Sequence, residues 1–173
     1  TTGRPLSDGA SFDVPRDVAV MIDAGAILKM RRSRIGVGST SVNVDRSAGS
    51  LMVLGTPHLL DAAGAIVTNS AGAPVAGSVF LTSLGDQTVG KNFNPATSDP
   101  SPKPGDWGGL DFRNRTDMQN ASRKSFEKLG IFLNYVAHSD IRYGGGQVVV
   151  DGVSQPITPV HMVDSRPTVG FSE

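Results

Sequence analysis

Three short motifs place an acid and a base two residues apart: Asp111-Phe112-Arg113, Asp140-Ile141-Arg142 and Asp164-Ser165-Arg166. In a strand, residues i and i+2 share a face. Each Asp and Arg would then lie together while Phe112 or Ile141 faces the other way. Such a stripe is chemically able to grip a glycan or to support acid–base work. The plainer expectation is outward ion pairs on a solvated sheet, each contributing about 0–1 kcal/mol. Glycoside hydrolysis asks for two or three clustered carboxylates, and the sequence holds neither an Asp-Asp pair nor a Gly-His-Gly.

Three histidines, His58, His138 and His161, show no His-x-His or His-x-x-x-His spacing, so no metal site is expected from them. His138 and His161 read as equivalent positions of consecutive repeats that would stack. Trp107 is a candidate sugar platform beside a long polar loop, set against a role in filling a corner. Lys29, Arg31, Arg32 and Arg34 form a basic run, read as a solvated strand face or as a contact for an anionic glycan or partner. No Gly-x-Ser-x-Gly elbow marks a nucleophile, and no glycine string is followed by the Lys-Ser/Thr of a phosphate loop.

The elements that must position these residues are short. Of 173 residues, 21 are Gly and 11 Pro, which implies many turns, while 38% remain hydrophobic, enough for a core. β-Branched bursts suggest strands near Val18–Ile22, Ile35–Val37, Ser41–Val44, Leu51–Leu54, Val79–Leu81, Leu110–Phe112, Ile131–Val136, Ile141–Tyr143, Val148–Val150 and Pro159–Val163. Asp86–Gly105 reads as an irregular loop, and Ser122–Leu129 as one or two helical turns capped by Asn120 or Ser122. The class is all-β, and spacings such as Ile22 to Leu51, Leu51 to Val79 and Val79 to Leu110 suggest a repeat of roughly 20–31 residues, the signature of a β-solenoid coil, although an irregular β-sandwich would share the composition. Sixteen cations balance sixteen anions, which removes the usual electrostatic case for nucleic acid or an anionic membrane. No apolar run is long enough to span a bilayer. Cysteine is absent, so disulfides, thiolate metal sites and a cysteine nucleophile are excluded. The chain opens Thr1-Thr2-Gly3 and closes Val169–Glu173 in what reads like a new strand, so a longer or processed parent is expected.

Gly105-Asp106-Trp107-Gly108-Gly109-Leu110, followed by 133–146 (Leu-Asn-Tyr-Val-Ala-His-Ser-Asp-Ile-Arg-Tyr-Gly-Gly-Gly), resembles the right-handed parallel β-helix, pectate-lyase-like segments of large bacterial surface and secreted proteins. The likeness extends over about residues 18–170. It implies five or six stacked coils, Gly108-Gly109 and Gly144–Gly146 at sharp corners, and an N-terminal extension or cap at 1–17 before a β-helix at 18–173 that continues in the parent. It implies an exported, extracellular or cell-surface structural or adhesive module, presenting loops to a glycan or protein. Trp107, Asp140 and Arg142 are its candidate ligand contacts. Partners would be the rest of its own chain or other copies through an open end. No cofactor is expected, although Ca²⁺ fits the lyase variant of the resemblance. In that variant, Asp111, Arg113, Asp140 and Arg142 line the groove of a polysaccharide lyase or glycoside hydrolase acting on an acidic polysaccharide.

Overall fold

In a computed structural model, residues 12–91, 101–117, 120–150 and 152–173 are described. Among the described residues the regular structure is almost all strand, with one short helix, and the sheets are chiefly parallel. The elements are β1 (Phe12–Asp13), β2 (Ala19–Asp23), β3 (Ile27–Met30), β4 (Arg34–Val37), β5 (Ser50–Leu54), β6 (Val79–Ser83), β7 (Gly109–Arg113), α1 (Asn120–Lys128), β8 (Tyr135–Ala137), β9 (Ser139–Ile141), β10 (Gln147–Val150), β11 (Val153–Pro156), β12 (Val160–Val163) and β13 (Thr168–Gly170). Three parallel sheets run β1-β4-β7-β12, β2-β5-β8-β13 and β3-β6-β9, and β10-β11 is an antiparallel hairpin. Along the chain, the strands visit these three sheets in rotation, first, second, third, then first again, with the β10-β11 hairpin set between β9 and β12.

Alternation along each strand explains this arrangement. Inward positions stack in register as apolar rows: Ile35, Leu110 and Val160; Ile22, Val53, Val136 and Val169; Leu28, Leu81 and Ile141. A single core joins Val14, Ile35, Val37, Leu51, Val53, Val79, Leu81, Leu110, Phe112 and Val136, all essentially solvent-free. Burying each such side chain contributes about 1.5–3 kcal/mol. A slip of one residue in any strand would turn its row outward, so the core enforces the register.

Between the rows the loops vary widely, which corrects the expectation of a 20–31-residue repeat. Asp13, Gly36, Asp111 and His161 share one register although their sequence intervals are far from uniform. Ile22 stacks on Val53 rather than Leu51, and Val79 pairs with Ser139 in a different sheet from Leu51. The sheets are four, four and three strands deep, not five or six. Phe12–Asp13 pairs with β4 as an edge strand of the first sheet, and Val14 lies in the core. Residues 1–11 lie outside the described residues.

Two insertions are themselves structured. Residues 55–78 hold three antiparallel bridges: Thr56–Gly77 encloses Leu60–Ile66 and Thr68–Pro74, which follow one another inside it. Leu59 N–H donates to Val75, Val67 to Leu59 and Val75 to Val67, closing a three-way ring of backbone bonds at 2.8–2.9 Å. Asp61 and Asn69 open two copies of one pattern, Asx-x-Ala-Gly-Ala. Each side-chain oxygen accepts the backbone N–H groups two and four residues on. This is the Asx-turn habit of these residues. The hairpin β10-β11 is antiparallel because its short turn leaves no room for a crossover. Its Val148 and Val150 form a small cluster with Ile157. Ser41–Val44, expected as a strand, is a turn closed by one antiparallel bridge.

Candidate functional site

The outward face of the first sheet carries a buried charge network. Asp13, Gly36, Asp111 and His161 lie side by side on β1, β4, β7 and β12. Arg34 sits two residues before Gly36, on the same face of β4. Its guanidinium lies over Gly36, where a Cβ would overlap Arg34 Nη1 and Asp13 Oδ1. Glycine is therefore required by close approach. From there Arg34 Nη1 reaches Asp13 Oδ1 at 3.1 Å and Asp111 Oδ2 at 3.2 Å.

Further partners complete the network. Arg46 Nη2 lies 3.1 Å from Asp13 Oδ2. Arg113 Nε donates to both oxygens of Asp111, at 2.9 and 2.8 Å. His161 Nδ1 is 2.8 Å from Asp111 Oδ1. A carboxylate only accepts, so the Nδ1 proton lies in that bond and Nε2 is the remaining ring nitrogen. The loop 38–49 covers one side, fastened by Ser39 N–H to Asp117 Oδ1 at 2.6 Å and by Thr116 Oγ to the Ser39 carbonyl. Val148 and Ile157 of the hairpin region press on Gly108 beside Arg34 on the other.

The third sheet carries a second, shallower cluster. Arg142 clasps Asp140 through Nε and Nη2, extends Nη1 to Thr88 Oγ at 3.1 Å and lies over the Phe80 ring at 5.2 Å. The Asp140 hydrogen bond raises the affinity of Arg142 for its proton against the effect of burial. Asp86 beside it has a side chain shut off from solvent. Its oxygens accept from Thr82 Oγ at 2.7 Å, Thr88 Oγ at 2.6 Å and Thr88 N–H at 2.9 Å. Burial opposes ionisation of Asp86, but these donors together with Arg142 outweigh it and hold the carboxyl below its ordinary range. Lys29 Nζ donates to the carbonyls of Asp86 and Lys91.

The expected site residues thus separate. Asp111 and Arg113 belong to the first sheet, and Asp140 and Arg142 to the third. They do not line one groove. The Asp-x-Arg copies do not stack on one another either, since Asp111 is in register with His161 and Asp140 with Phe80. Asp164 is a corner residue, paired with Lys124 of α1 at 3.4 Å. Asp111 is wholly buried, so the expectation of a solvated ion pair is corrected there. It holds for Asp140 and Arg142 only in part, with 19% and 34% of their side chains exposed.

Trp107 offers no face to a sugar. It is fully buried, and its indole N–H donates to the Arg142 carbonyl at 2.7 Å. The corner role suits it because Gly144 and Gly146 leave room for its ring and backbone. His138 does not stack on His161. It lies flat against Phe171, with centroids 4.8 Å apart, where both residues turn a corner at positive φ.

The basic run divides by face. Arg34 and Lys29 are engaged as above, while Arg31 and Arg32 are exposed at the corner joining the third sheet to the first. There they line a notch of about 160 Å³ with Ser83, Leu84, Gly85, Gly105 and Asp106. A neighbouring recess of about 260 Å³, lined by Asp86, Gln87, Thr88, Ser101 and Pro102, shares Gly85 with it. Sequence reasoning missed both, because the loops that meet at this corner are far apart in the chain. It also missed Asp13 and Arg46, whose partners are set by register across strands. Among the described residues, no group of three His, Asp or Glu side chains is placed to hold a metal ion. Comparison with protein-family models, with curated proteins and with solved structures returned no match.

Proposed function

We propose that the chain is a right-handed parallel β-helix segment of an exported bacterial surface protein, with a structural and adhesive role. Its coils would hold loops rigidly for contact with a glycan or another protein. The observation that carries this reading is the distribution of charge. Each carboxylate of the two candidate clusters is already held by an arginine of its own sheet. Such pairing suits a scaffold that fixes its strands, and a carboxylate acting as acid or base needs freedom to exchange a proton. The structured knob at 55–78 and the basic corner are the parts that project. The open strand edges of the sheets are the parts available to the rest of a longer chain or to other copies, since unpaired edges invite pairing.

The test is a panel of acidic and neutral polysaccharides, read for binding and for release of shortened or unsaturated products. Binding without turnover is the expected result. Turnover that Asp140→Ala abolishes would replace the adhesive reading with the lyase or hydrolase one.

A further inference from the structure

The notch at the corner between the third and first sheets has the chemistry of a binding site. Five arginines of the described chain are engaged with carboxylates: Arg16, Arg34, Arg46, Arg113 and Arg142. Arg31 and Arg32 are exposed and make no ion pair among the described residues. They line the recess of about 160 Å³ described above together with Ser83, Leu84, Gly85, Gly105 and Asp106. Asp106 lines the same recess, and its side chain is held in place. Its Oδ2 accepts from Ser83 Oγ at 2.6 Å and from Lys103 N–H at 3.0 Å. Its carbonyl accepts from Arg32 N–H at 2.7 Å, which ties the arginine-bearing corner to the acid-bearing one.

We infer that this notch binds a hydroxylated carboxylate, the chemistry of a sugar acid, with Arg31 and Arg32 on the carboxylate and Asp106 Oδ1 accepting from a hydroxyl. Guanidinium groups match a carboxylate in planar, two-bond fashion. A fixed acceptor beside them rewards a ligand that also brings a donor and disfavours a bare anion, which has none. The cavity admits one small ring or its acidic edge, so the site reads a single residue of a chain and not a long stretch. This deepens the adhesive reading by naming the ligand class at one place, and it rests on that reading only for its biological setting.

The experiment is amide NMR titration of the full chain with sodium glucuronate, glucose and sodium sulfate, run separately at low ionic strength. Glucuronate is expected to shift the amides of Arg31, Arg32, Gly85 and Gly105 with a Kd of about 1–10 mM, as befits few contacts to a small ligand. Glucose should bind at least tenfold more weakly, and Arg31→Gln with Arg32→Gln should cost glucuronate at least tenfold. Asp106→Asn removes a negative charge, so it should tighten sulfate while the glucuronate-to-sulfate affinity ratio falls. Sulfate binding as tightly as glucuronate in the unaltered chain would overturn the proposal in favour of a plain anion site. Absence of glucuronate shifts at this corner up to 50-fold above the expected Kd would overturn it outright. If the paired glutamine variant still binds acidic polysaccharides on the panel, the adhesive reading stands and this notch is refuted as its site.

Discussion

Arg34 and Gly36 form a pair whose interdependence can be measured. Replacing Arg34 with Met keeps the length and apolar bulk of the side chain but removes the guanidinium between Asp13 and Asp111. Two carboxylates, 3% and 0% exposed, then face one another without their shared cation. Removing one partner from a buried ion pair typically costs about 3–5 kcal/mol. Arg46 remains on Asp13 Oδ2 and Arg113 on both oxygens of Asp111, which places the loss near the lower end, about 3 kcal/mol. Gly36→Ala reaches the same network by steric means. Its methyl would occupy the space that holds Arg34 Nη1, and a buried guanidinium has nowhere dry to retreat. A loss of about 2–3 kcal/mol is expected, within the range for overpacking.

The double variant decides the matter. With Met at 34 the guanidinium part of the obstruction is gone and only Asp13 Oδ1, released from Arg34, has to shift, so Ala at 36 should add about 1 kcal/mol, giving a coupling of about 1–2 kcal/mol. Urea unfolding followed by far-ultraviolet circular dichroism gives these differences from the midpoint. With a slope of about 2 kcal/mol/M, a 3 kcal/mol loss moves the midpoint by about 1.5 M. Additive effects, or a loss under 1 kcal/mol for Arg34→Met, would show that the network does not hold the strands of the first sheet together.

Three other perturbations have distinct outcomes. Trp107→Ala should lower stability by about 3–5 kcal/mol, because it empties the largest fully buried site and leaves the Arg142 carbonyl without its donor; thermal unfolding measures it. Asn134→Leu should cost about 1–3 kcal/mol, since buried Leu51 N–H loses its acceptor, and hydrogen exchange at Leu51 should accelerate. Asp86 has a lowered folded pKa, so its contribution is complete above the unfolded value near 4 and disappears as pH falls through the lower folded value. Acid titration should therefore release the Thr88 segment below about pH 4, and Asp86→Asn should remove that step from the stability profile.

What the sequence disclosed and what it concealed divide along physical lines. The inward β-branched bursts at β2, β4, β5, β6 and β7 were legible because alternation is local. The helix at Asn120–Lys128 was legible from its polar run. The stacking partners were not, because loops of very unequal length separate residues that share a register. Asp111 illustrates this. Its motif predicted a solvated pair with Arg113, yet the loop 38–49 and the β10-β11 region cover that face, and Arg34 supplies the second cation. The hairpin β10-β11 reads like any other valine-rich strand until its antiparallel pairing is seen. Asp61 and Asn69 head a short tandem pattern that a search at the length of a whole coil passes over.

The strands of each parallel sheet lie side by side in register, and cross-linking reads that order directly. The chain has no cysteine, so paired substitutions report adjacency cleanly. Met52 and Tyr135 are register partners on neighbouring strands, as are Tyr135 and Thr168. Neighbouring strands lie about 4.8 Å apart and alternate ones about 9.6 Å, and a disulfide does not span Cα atoms more than about 7 Å apart. Mild oxidation should therefore cross-link Met52→Cys with Tyr135→Cys, and Tyr135→Cys with Thr168→Cys, each within one chain. The pair Met52→Cys with Thr168→Cys should stay reduced. Efficient bridging of that last pair, or failure of both neighbouring pairs, would contradict the stacked arrangement on which the proposed function depends.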